Sequence, residues 1–122
     1  MELPSRKNIR LQSWDYSTHA YYHVTICTHN RLKLLSTVDP KTFEVKLSDI
    51  GNCVDDAIAK AVERYPSVRV ETYVIMPNHV HMLVAVDEQV IDLGRFIGFM
   101  KSYATRCARR VYPNLELWQR NY

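Results

Sequence analysis

The chain has 122 residues, 47% of them apolar and 24% charged, with a formal net charge of +3. That length makes a single domain over residues 1–122, able to bury roughly two-thirds of its unfolded surface, and the composition is that of a soluble globular protein. No apolar run approaches the ~20 residues that a bilayer demands, and Met1-Glu2-Leu3-Pro4-Ser5-Arg6-Lys7 has no apolar signal core, so a cytoplasmic protein without membrane contact is expected.

Residues 1–20 are polar and irregular, with Trp14 and Tyr16 as anchors and Arg6, Lys7 and Arg10 as a basic arm. Tyr21 to Thr28 is rich in β-branched and aromatic residues and predicts a strand. A polar connection around Val38-Asp39-Pro40-Lys41 leads to a short strand from Phe43 to Leu47. Ser48 is placed to cap a helix whose Ile50, Val54, Ile58 and Val62 form one apolar stripe, and Pro66 ends it.

Val68 to Met76 predicts another strand, and Pro77-Asn78 turns the chain into His79-Val80-His81-Met82-Leu83-Val84-Ala85-Val86. A second helix is expected from about Ile91 to Tyr112. Its buried stripe is Leu93, Phe96, Ile97, Met100, Ala104, Cys107 and Val111, and Pro113 closes it. An exit segment, Leu115 to Tyr122, carries Trp118, which reads as an anchor against the sheet.

This order predicts an α+β fold: an antiparallel sheet of four to five strands with two helices on one face, of ferredoxin-like type. Cys27, Cys53 and Cys107 are odd in number and widely spaced, which predicts reduced core thiols.

Side chains on a strand alternate between faces, so His79 and His81 project together while Val80 points the other way. With the helices over Val80, Met82 and Val84, the two imidazoles stand on the uncovered face, where they can share a divalent ion. Two polar residues on a wet sheet face are the competing reading of the same spacing. His19, His23 and His29 read as surface or turn residues, although His23 shares a strand face with Thr25 and approaches the pair in one register. Lys101, Arg106, Arg109 and Arg110 form a second basic cluster on the last helix. Together with Arg6, Lys7 and Arg10 it suits a phosphate backbone, and each cluster alone also fits a solvated charged face.

Tyr-Val-Ile-Met-Pro-Asn-His-Val-His-Met-Leu-Val (Tyr73 to Val84) resembles the HUH motif of single-tyrosine, single-strand DNA transposases, and more narrowly that of the REP-associated tyrosine transposases. Ile9 to Ser17, Tyr22 to Arg31 and Leu117 to Tyr122 resemble further blocks of the same family, in order, so the likeness spans nearly the whole chain. The resemblance implies a transposase-type strand transferase acting on hairpin-forming single-stranded DNA as a homodimer. It implies Mg²⁺ or Mn²⁺ held by His79 and His81 as the catalytic metal ligands, with Asn78 orienting backbone or phosphate. It also places the nucleophilic tyrosine, and a further metal ligand, on a helix beyond Trp118-Gln119. The 122 residues are therefore expected to be truncated at the C-terminus, holding the metal half of the site without its nucleophile. Tyr103 is not at the family's position and reads as a core-edge aromatic. A DNA-binding module that has lost its chemistry is the alternative, and a hydrolase using metal-bound water is the weakest reading.

Overall fold

The computed structural model describes residues 19–87 and 92–120. Its elements are strand β1 (His19–Cys27), strand β2 (Ser36–Val38), strand β3 (Val45–Leu47), helix α1 (Asp49–Arg64), strand β4 (Val68–Met76), strand β5 (His79–Asp87) and helix α2 (Leu93–Ala108). The five strands form two antiparallel sheets, one in the order β1-β5-β4 and one a β2-β3 ribbon. The histidine strand is thus central in its sheet.

β2 is absent from the sequence expectation. Its three residues are too short to show alternation, and its pairing is fixed by tertiary contacts: Ser36 donates its hydroxyl to the Ile75 carbonyl at 3.0 Å. α1 begins where expected. Ser48 sits in extended backbone and its Oγ accepts the Gly51 N–H at 3.0 Å, a cap that contributes about 1 kcal/mol. Gly51 is required by a close approach. A Cβ there would lie 2.0 Å from the Leu35 carbonyl oxygen, which also accepts the Ser48 N–H.

The core lies between the helices and one face of the large sheet. Val80, Met82, Val84 and Val86 of β5 meet Phe96, Met100 and Ala104 of α2 and Val54, Ala57 and Ile58 of α1. The pleat then puts His79 and His81 on the other face. α2 ends at Ala108, short of the expected Tyr112, so the helical period lapses and Val111 is 61% exposed instead of buried.

The expectation of reduced cysteines is corrected in part. α1 and α2 pack side by side and bring the Cα atoms of Cys53 and Cys107 to 5.7 Å, where a disulfide joins them; Cys27 is the free thiol. None of the described helices is long and apolar enough to cross a membrane.

Candidate functional site

The site is built on a two-residue turn. Pro77 fixes its own φ at the first corner, and Asn78 needs no left-handed backbone, since the only described non-glycine residues with positive φ are Asn30, Arg31 and Phe43. Neighbouring backbone pins the turn. The Thr28 N–H donates to the Asn78 carbonyl at 3.0 Å, and the Leu35 N–H donates to the Pro77 carbonyl at 2.9 Å. The Thr28 hydroxyl, fully buried, donates to Leu32 O at 2.7 Å and lies 3.2 Å from Asn78 O. Sequence reading missed Thr28, because a threonine ending a strand reads as one more β-branched residue.

From this anchored start, His79 pairs with Met76 and Cys27, and His81 with Val74 and Thr25. His79 is half-buried and His81 exposed. Each ring is held at Nδ1. His79 Nδ1 lies 2.9 Å from Asn78 Oδ1, and His81 Nδ1 lies 3.1 Å from Thr25 Oγ1. An amide oxygen only accepts, so the first bond requires Nδ1–H on His79 and leaves Nε2 with its lone pair. A hydroxyl accepts equally well, and the same tautomer serves His81. Burial, then the neighbouring His81, then Arg31 hold the His79 imidazole below its ordinary pKa, in the neutral form that binds metals.

His23 sits diagonally across, its ring centroid 5.7 Å from that of His81 and tilted by 49°. Even so, the described residues contain no group of three or more His, Cys, Asp and Glu that could hold an ion. The donor set is therefore two imidazoles with open positions. That set fits Mn²⁺ better than Mg²⁺, which prefers oxygen ligands and retains water.

The basic residues divide. Lys101, Arg106 and Arg109 share a depression of about 360 Å³ with Thr105 and Trp118 on the flank of α2. Arg110 is exposed beyond the helix end and lines no part of it. Arg6, Lys7 and Arg10 lie outside the described residues. Two cations that sequence reading passed over, Arg31 and Arg120, line a second depression of about 500 Å³ with His29 and Gln119. Both are isolated in sequence and become neighbours only because the exit segment docks on β1. There Gln119 N–H donates to Cys27 O, His29 N–H donates to Leu117 O, and the Trp118 indole N–H reaches Lys101 O at 3.1 Å. Trp118 is thus the anchor its position suggested.

Three of the six described tyrosines are engaged away from the histidines. Tyr73 is buried on the helix side and donates its hydroxyl to Asp55. Burial first, then the Asp55 bond and charge, push its pKa far up. Tyr103 stacks on Phe99, with centroids 6.2 Å apart, and Tyr65 meets the same ring edge-on. Tyr21 shares the histidine face but lies four residues from Thr25, about 13 Å along the strand. Tyr16 and Tyr122 lie outside the described residues.

The antiparallel sheet with two helices on one face has a counterpart among solved structures. A solved structure described as a candidate transposase from Deinococcus radiodurans R1 matches with a TM-score of 0.63 over 93% of this chain and 81% of that one, at 17% identity, a likeness of fold. The model of the IS200-like transposase family matches residues 16–122, and the chain belongs to that family. An uncharacterized protein of Haemophilus influenzae is 28% identical over 138 aligned positions, covering 96% of this chain and 76% of that protein.

Proposed function

We propose that this domain is an HUH-type strand transferase, nearest in motif to the REP-associated group, that processes hairpin-forming single-stranded DNA as a homodimer. The observation that carries the reading is the pair of imidazoles on the central strand, each held at Nδ1 so that both Nε2 atoms are left to share one divalent ion. His79 and His81 would hold that ion, and it would supply Lewis-acid polarisation of the scissile phosphate.

The chain's own residues prepare this step. Asn78 and Thr25 fix the rings, and the Pro77-Asn78 turn holds the strand in place. Arg31 adds positive charge beside the pair, and Lys101, Arg106 and Arg109 continue it along the flank of α2. A tyrosine hydroxyl gives up its proton to solvent as its oxygen forms the new bond to phosphorus, while the bond from phosphorus to the 3′ oxygen breaks. The electron pair leaves on that oxygen, which takes a proton. The products are a 5′-phosphotyrosine and a free 3′-OH, and the phosphodiester energy is kept for rejoining.

A second reading, a DNA-binding module without chemistry, is favoured by the placement of Tyr73, Tyr65 and Tyr103 on the helix side of the molecule. One experiment separates the two. The protein is incubated with labelled hairpin-bearing single-stranded DNA and Mn²⁺, then denatured and resolved on a gel. A covalent adduct that disappears in His79→Ala supports the transferase. Salt-sensitive binding without adduct supports the binding module. No binding at low salt contradicts both.

A further inference from the structure

A groove of about 530 Å³ runs along the outer edge of β1, between that strand and the first half of α2. Resting on the single-stranded-DNA reading above, we infer that it is a nucleotide subsite: it receives one unpaired base of the strand whose phosphate lies at His79 and His81.

Position comes first. Cys27 and Thr25, which line the groove, are the cross-strand partners of His79 and His81. Cys27 O accepts the Gln119 N–H, so Cys27 directs its backbone groups away from β5. Antiparallel pairs alternate, so Thr25 two residues earlier also turns its N–H and C=O outward, towards the groove. One residue therefore serves both places. Its side chain steadies His81, and its backbone offers a donor and an acceptor to a base edge.

The lining fits the same occupant. Val24, Ile26 and Ile97 supply an apolar wall, and Arg31 and Lys101 supply cations. None of the residues lining it is acidic. An apolar slot with cations suits a flat base carried on an anionic backbone: the aliphatic walls cover the base and the cations meet its phosphates.

The helix wall is left bare. Gly94 and Gly98 lie one turn apart on α2 and both line the groove, yet a Cβ at either would meet nothing within 4 Å. Glycine inside a helix costs about 1 kcal/mol relative to alanine. Gly51 has a packing reason; among the described residues these two have none, and what they preserve is the width of the groove.

That emptiness supplies a clean test. Gly98→Leu projects a side chain into the groove without touching the core and adds a better helix former. Parent and variant are titrated by fluorescence anisotropy with a hairpin-bearing DNA, and with copies in which one abasic site is walked along the single-stranded flank. The proposal expects unchanged or raised thermal stability in Gly98→Leu and binding weakened roughly tenfold or more, the scale of a lost base contact. It also expects one abasic position to weaken the parent comparably while leaving the variant unchanged. If the parent binds DNA and Gly98→Leu binds it equally well, the groove proposal fails while the single-strand reading stands. If both proteins lose the same amount at every abasic position, it fails as well. If the parent shows no salt-dependent binding, the parent reading fails first. Should Gly98→Leu instead abolish concentration-dependent dimerisation with DNA affinity intact, the groove seats a second copy of the chain and the nucleotide assignment is overturned.

Discussion

Thr28→Val removes one hydroxyl from the anchor beneath the histidine turn and replaces it with a methyl of nearly equal volume. The hydroxyl is fully buried and donates to Leu32 O at 2.7 Å, a bond the valine variant loses, although that carbonyl still accepts the Leu34 N–H at 2.9 Å. The Thr28 N–H still serves Asn78 O, so the turn loses support without being released. Losing one hydrogen bond whose acceptor keeps another donor costs about 0.5–1.5 kcal/mol. Unfolding entropy near 2.1 cal/mol/K per residue over 122 residues gives about 0.26 kcal/mol/K, so Tm should fall by about 2–6 °C. Thermal denaturation followed by circular dichroism reads this directly. Thr28→Ser keeps the donor and loses only a methyl, at about 1 kcal/mol, so the bond to Leu32 O should survive in it. A valine variant melting within a degree of the parent would refute the anchoring role.

Gly51→Ala should destabilise by about 2 kcal/mol or more in urea titration, because overpacking against the Leu35 carbonyl outweighs the gain of about 1 kcal/mol in helix propensity; an unchanged midpoint contradicts this. Reduction of the Cys53–Cys107 disulfide frees a loop of 54 residues' separation, and chain entropy sets the loss of stability at up to about 4 kcal/mol; identical urea midpoints with and without reductant would count against the bond. Asp39 accepts the N–H groups of Lys41 and Thr42, in that order of effect, and these hold its carboxyl below the ordinary 3.8. Its contribution to the β2-β3 turn is therefore present above the unfolded pKa and lost as pH falls through the folded one. NMR titration of the Lys41 and Thr42 amides should show a midpoint below 3.8, and one at or above it would contradict the assignment.

The parts of this fold that sequence made legible are those whose signal is local and periodic. Ile50, Val54 and Ile58 mark the buried face of α1, and Ser48 marks its start, because cap and stripe lie within a few residues of each other. His79 and His81 share a face for the same reason, as the pleat repeats every two residues. What sequence hid depends on partners distant along the chain. Thr28 matters through Asn78, Gly51 through Leu35, and Cys53 through Cys107, and no spacing rule connects any of these pairs. The groove beside β1 is a further case, since Arg31, Gly98 and Gln119 meet there only after the exit segment has docked. Val111 shows the converse error, a periodic residue assigned to a helix that had already ended.

The claim beneath all of this is that the Nε2 atoms of His79 and His81 take one divalent ion between them. Adding Mn²⁺ in small steps to isotope-labelled protein and following NMR line widths tests it most directly. Paramagnetic broadening should strike the His79 and His81 rings first, then the amides of Thr25 and Asn78, while Val54 and Ala104 behind the sheet stay sharp, and His79→Ala should abolish the pattern. Broadening centred elsewhere, or unchanged in that variant, would contradict the account.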